Sequence, residues 1–215
     1  MKLLLTSAGL SNKSISNALL ELTERPFSEL NLAFIPTASN VEEGDKDWVI
    51  NDLIYCKNLG FKSIDIVDIS AIPRDLWFPR LQVADVLMFE GGNTFHLMHW
   101  LEKSGLKELL PEMLKTKVYV GISAGAMVTS RKNSFLKLYY QGEYEHEDEN
   151  GLGLVDFQIR PHLNSPYFSG LNLENLEKIA KDFPETFYAL DDNSAIKIED
   201  GKIEIISEGV WKKFN

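Results

Sequence analysis

The chain has 215 residues, 44% of them hydrophobic and 25% charged. That ordinary globular mix argues against disorder and can bury one substantial core, so a single domain over 1–215 is expected. Cys56 is the only cysteine, and the formal net charge is −10 at pH 7 with no basic cluster, which excludes an internal disulfide and argues against a nucleic-acid partner.

Residues 3–6 read as a buried first strand, because the apolar run after Met1 is too short for a signal peptide. Residues 14–22 follow as a helix and 32–36 as a second strand. Asp47 to Leu59 carries apolar residues at helical spacing with Gly60 placed as its C-cap, and 63–67 form the third strand. Cys56 falls on that helix as a buried small hydrophobe. Residues 83–89 are a nearly continuous apolar run, the pattern of a parallel strand buried on both faces. Thr94 to Lys103 and 106–114 read as helices, and 117–120 as the next strand. The last third changes character: a strand over 156–159, a helix over 172–183, then short antiparallel strands over 195–198, 202–206 and 210–213. Such alternation predicts an α/β fold, a mostly parallel sheet flanked by helices, with ligands at the carboxyl ends of the strands. The acidic stretch 143–149 reads as a solvated loop. No apolar stretch approaches the ~18 residues of a membrane span, so no membrane partner and a cytoplasmic location are expected.

The strand at 117–120 enters Gly121-Ile122-Ser123-Ala124-Gly125, a Gly-x-Ser-x-Gly sequence. In a nucleophile elbow this pattern exposes the serine hydroxyl at a sharp strand-to-helix turn and points the following amide, here Ala124, at an oxyanion. The alternative is a tight turn that only packs. Glu90-Gly91-Gly92-Asn93-Thr94 also follows a buried strand and opens a helix. Its Gly92 is a candidate second oxyanion donor; the rival readings are a plain connection capped by Asn93 or Thr94 and a phosphate cradle.

Four histidines are available as a base. His96 and His99 share a helix face without further ligands nearby, so no metal is expected; His146 lies in the acidic loop. His162 follows a strand end and opens a loop, a natural place for a catalytic base. Asp191 and Asp192 are tandem candidates for the acid that orients it, of which an extended segment lets at most one face His162. Turn formation is their other reading, and Asp156 is a further candidate.

These residues resemble the peptidase E family of aspartyl dipeptidases and the related cyanophycinases. The resemblance lies in Gly91-Gly92-Asn93-Thr94-Phe95, Gly121-Ile122-Ser123-Ala124-Gly125-Ala126, Pro161-His162 and the 34–38 strand end. It implies a fold like the class I glutamine amidotransferase domain, flavodoxin-like, with Ser123 as nucleophile, His162 as base, Gly92 and Ala124 as oxyanion amides, and no cofactor. Two departures stand out. Residues 133–140, where the family's well-known members carry the acid, contain no carboxylate; Asp192 instead occupies the place of a glutamate in cyanophycinase-like relatives. The helix at 172–183 lacks the family's substrate-binding arginine, which leaves Arg160, with Asn93, as the candidate substrate-binding residues. The resemblance implies a serine hydrolase that cleaves short peptides, dipeptides with an N-terminal aspartate, as a monomer or homodimer. An isoaspartyl hydrolase of the cyanophycinase kind, a generic esterase and a non-catalytic phosphate- or nucleotide-binding module are the alternatives.

Overall fold

A computed structural model describes residues 1–135 and 150–215; the acidic loop and His146 lie outside the described residues. The strands of the main sheet are β1 (Lys2–Thr6), β2 (Asn31–Ile35), β3 (Ser63–Ile66), β4 (Val86–Phe89), β5 (Val118–Ile122), and, after a smaller sheet has begun, β8 (Ser194–Glu199) and β9 (Lys202–Ser207). Their order is β3-β2-β4-β5-β1-β8-β9. The first five run parallel, while β8 and β9 are added antiparallel beside β1.

Alternation along these strands divides the core into two layers, as a pleated sheet requires. Leu3, Leu5, Ala33, Ile35, Leu87, Phe89 and Tyr119 feed one cluster. Their neighbours Leu4, Leu32, Phe34, Val86, Met88, Val118 and Val120 feed the other. The first face is covered by α4 (Arg74–Val83), α5 (Thr94–Lys103) and α6 (Leu106–Met113) through Trp77, Leu81, Leu97, Leu101 and Leu110. The second is covered by α1 (Lys13–Thr23) and α3 (Asp47–Leu59) through Ile15, Leu19, Leu22 and Cys56. The result is a three-layer α/β fold. Asn12 caps α1 by accepting from the Ile15 amide at 3.0 Å, and Gly60 closes α3 in the left-handed conformation. The Cys56 thiol is buried, and burial together with the charges of Asp52 and Glu90 pushes it up to about 12, so it packs as a small hydrophobe.

A second sheet of three strands, β10 (Trp211–Phe214), β7 (Phe187–Leu190) and β6 (Gln158–Arg160), holds the last third of the chain. Phe187 and Ala189 face a satellite core with Phe135, Phe183, Phe214 and α8 (Leu173–Ala180). Tyr188 and Leu190 face the main core, which fixes this small sheet against the large one.

Three elements differ from the sequence reading. The strand expected from residue 83 begins at Val86; Val83 ends α4 and is 70% exposed. That helix escapes the pattern because Pro73 precedes it and Pro79 interrupts it. Strand β7 is also additional, since a wholly buried strand shows no alternation. The third strand of the expected C-terminal group, β10, leaves the main sheet and pairs with β7. Among the described residues no helix is long and apolar enough to cross a membrane.

Candidate active site

The carboxyl ends of β1, β4 and β5 open on one edge, since these strands are parallel. There β5 turns into α7 (Ala124–Met127) through Ser123, whose φ of 45° and ψ of −104° lie outside the ordinary allowed regions. Such strain persists only where neighbours over-determine it. A Cβ on Gly121 would meet the Gly125 oxygen at 2.4 Å, and one on Gly125 would meet the Phe89 oxygen at 2.1 Å. Only glycines allow β5, α7 and β4 to approach so closely. The Ser123 amide donates to the Thr6 oxygen at 3.0 Å, and the buried Tyr119 hydroxyl donates to the Gly125 oxygen at 2.6 Å. Together they pin the turn from two sides.

His162 lies just past β6 with φ of 63°. Its Nε2 is 2.9 Å from Ser123 Oγ and its Nδ1 is 2.7 Å from Asp192 Oδ1. A carboxylate only accepts, so Nδ1 carries the proton facing Asp192 and Nε2 is left to accept from the serine hydroxyl. The imidazole stacks on Phe168, with ring centroids 4.6 Å apart and planes 11° from parallel. Burial pushes the Asp192 carboxyl up, but the hydrogen bonds with His162 and Ser7 outweigh it and hold Asp192 below the usual carboxylate range.

The tandem aspartates divide the two roles open to them. Asp192 faces His162. Asp191 faces the other way and forms a turn, accepting from the Asn193 and Val210 amides and the Ser194 hydroxyl. Asp156 is paired with Arg131 at the surface.

Gly92 has φ of 119°, and a Cβ there would meet the Ala38 oxygen at 2.4 Å. Its turn runs beside the elbow: a Cβ on Gly91 would meet Ser123 Cβ at 3.3 Å. Asn93 caps α5, its side chain accepting from the His96 amide at 2.9 Å while its own amide donates to the Ala38 oxygen. Arg160 is buried, with its guanidinium 5.5 Å from the Phe135 ring centroid. His96 and His99 both pack against Trp100, and among the described residues no group of three or more His, Cys, Asp or Glu side chains is placed to hold a metal ion.

Two further side chains belong to the neighbourhood and carry no motif. Ser7 accepts from the His162 amide at 2.8 Å and donates to Asp192 Oδ1 at 2.9 Å. Its signal was its place in the loop after the first parallel strand. Trp48, at the start of α3, lies 3.5 Å from where a Gly91 Cβ would be and is 38% exposed. Only the folded chain brings this ring against the Gly91 turn.

A hydroxyl at the carboxyl edge of the parallel sheet, hydrogen-bonded in sequence to an imidazole and a carboxylate that follow β6 and β7 of the smaller sheet, defines a serine hydrolase. The model of peptidase family S51 matches residues 3–206. An uncharacterised peptidase of Listeria monocytogenes is 31% identical, the match covering 82% of this chain and 85% of that protein. Peptidase E of a Nostoc species is 30% identical over 57% of this chain and 52% of its own. The crystal structure of a putative peptidase E protein from Listeria monocytogenes superimposes with a TM-score of 0.81 at 28% identity, covering 97% of this chain and 98% of the other. The chain belongs to peptidase family S51 and is a serine peptidase.

Proposed function

We propose that the chain hydrolyses dipeptides with an N-terminal aspartate through an acyl-enzyme, with Ser123, His162 and Asp192 as its triad. The observation that carries the assignment is the unbroken line from Ser123 Oγ through the imidazole to Asp192. His162 Nε2 takes the hydroxyl proton as Ser123 Oγ attacks the scissile carbonyl, and then hands that proton to the departing amine. Water enters by the same route and its hydroxide equivalent releases the aspartyl group. Asp192 keeps its charge and stabilises the imidazolium. The Gly92 and Ala124 amides hold the oxyanion; Ala124 opens α7, where first-turn amides have no partner within the helix. Asn93 and Arg160 are the residues proposed to hold substrate. The enzyme acts on small peptides in the cytoplasm as a monomer or homodimer, and its acidic balance suits neither a nucleic acid nor an anionic surface.

The test is hydrolysis of Asp-Leu against β-Asp-Leu by the wild type and by Ser123→Ala. Preference for the α-linked peptide, lost by a factor on the order of 10⁴ or more in the variant, is the expected result. Undiminished turnover by Ser123→Ala overturns the triad, and preference for the β-linkage replaces the substrate by an isoaspartyl one.

A further inference from the structure

Directly beneath the proposed oxyanion loop lies an acid pair that the triad does not use. Glu90, the residue before Gly91-Gly92, is completely buried, and Asp52 of α3 is 8% exposed. Glu90 Oε1 accepts from the Gly91 amide at 2.9 Å. Its Oε2 has no donor, and the Glu90 carboxyl interacts with that of Asp52. Two carboxylates can only accept, so this contact is a hydrogen bond only when a proton lies between them.

The packing gives neither acid a way out. Gly9, in the turn after β1, has φ of 69°, and a Cβ there would meet Asp52 Oδ1 at 2.2 Å. The Asp52 carboxyl therefore rests on bare glycine backbone, wedged between that turn and Glu90. On the three segments around the pair (α3, the β1–α1 turn and the β4–α5 turn) the interacting titratable groups are Asp52, Cys56 and Glu90, with no cation contributing. Leaving both acids charged there would place two uncompensated negative charges in the core, a state that interiors do not tolerate.

We infer that Glu90 is a positioning residue for the oxyanion loop: one proton shared between Glu90 and Asp52 ties the Gly91–Gly92 turn to α3 and the β1–α1 turn, and so holds the Gly92 amide in register with Ser123. The inference rests on the proposed role of Gly92. Its consequence is a titration of the pair in the pH profile. Burial raises Asp52 to about 6 and Glu90 well above the usual carboxylate range. The shared proton is therefore lost only as pH rises above the usual carboxylate range. There the two charges repel, the Gly91 turn shifts, and kcat falls while KM changes little.

The experiment compares pH profiles of kcat and KM for wild type, Glu90→Gln, Glu90→Ala and Asp52→Asn. Glu90→Gln keeps an acceptor for the Gly91 amide and supplies a donor for Asp52 that never titrates. It is expected to lose the alkaline fall in kcat and to rescue most of the activity that Glu90→Ala loses, which is ~100-fold for a donor displaced by about an ångström. Asp52→Asn is expected to move the alkaline limb as well, since it removes the second charge, and it serves if Glu90→Gln does not fold. A Glu90→Gln or Asp52→Asn profile that superimposes on wild type overturns the inference, as does an equal loss at every pH. A wild type with no peptidase activity instead overturns the function proposed above. The proton is then read directly, as the infrared band of a protonated carboxyl at neutral pH that Glu90→Gln removes; absence of that band in the wild type also overturns the inference.

Discussion

Ser7 holds both ends of the base. Its hydroxyl accepts from the His162 amide at 2.8 Å and donates to Asp192 Oδ1 at 2.9 Å, so it ties a backbone with φ of 63° to the carboxylate that orients the ring. A hydrogen bond to a charged group is worth about 1.5–3 kcal/mol. Ser7→Ala is therefore expected to lower kcat by roughly 10- to 100-fold with KM little changed, and a kcat within about twofold of wild type would show that the backbone alone fixes His162. Trp48 acts on a different quantity. Its ring stands against the Gly91 turn, which itself lies against Ser123, so Trp48→Ala should raise KM for dipeptides with a bulky second residue and leave kcat near wild type; equal KM values for bulky and small residues would remove it from the pocket. Both residues show what residue-scale reading reaches. A turn motif singled out Ser123 and the scarcity of histidines singled out His162, whereas parity left Asp191 and Asp192 equal and only the resemblance to cyanophycinase-like relatives preferred Asp192, the one whose carboxylate lies 2.7 Å from His162 Nδ1. Ser7 and Trp48 were not legible, because a serine after a strand and a tryptophan on a helix are chemically unremarkable until the fold sets them beside His162 and Gly91.

At the scale of elements, the site depends on turns that accept no side chain. Gly92 and Gly60 both have positive φ, but a Cβ on Gly92 would strike the Ala38 oxygen at 2.4 Å whereas nothing lies within 4 Å of one on Gly60. Gly60→Ala should cost about 1 kcal/mol of stability and leave turnover intact. Gly92→Ala must displace the turn, and kcat should fall by ~100-fold or more, the price of a lost oxyanion donor. Equal turnover by the two variants would separate the β4–α5 turn from the chemistry. The parallel half of the fold was readable for the same reason that these turns are: buried strands such as Val86–Phe89 and capped helices such as Asp47–Leu59 leave strong local patterns. The smaller sheet was less so. Its strands β6 and β7 are short and buried throughout, and their pairing with β10 is a long-range choice made by Phe187, Phe214 and their neighbours in the satellite core that no local window contains.

Across the whole molecule, carboxylates with opposite shifts set how stability depends on pH. Asp192 and Asp68 are held below the usual range, because hydrogen bonds outweigh the burial that pushes each upward. Their contribution is present above the ordinary carboxylate range and is lost as pH falls below it toward their lowered folded values. Asp52 and Glu90 are raised by burial, Asp52 to about 6. The folded state then binds more protons than the unfolded one, so their contribution is complete below the ordinary range and is lost as pH rises through about 6 and beyond. One pKa unit corresponds to ~1.4 kcal/mol, which makes this loss on the order of a few kcal/mol. The net charge of −10 at pH 7 pushes the same way, since self-repulsion grows as the remaining carboxyls ionise. The melting temperature should accordingly be higher near about pH 5 than near about pH 8, and Glu90→Gln should narrow that gap by removing one of the two titrating acids. A wild-type melting temperature that rises from the acid to the alkaline value would mean that the pair is ionised without penalty. A gap unchanged in Glu90→Gln would instead assign the whole dependence to surface charge.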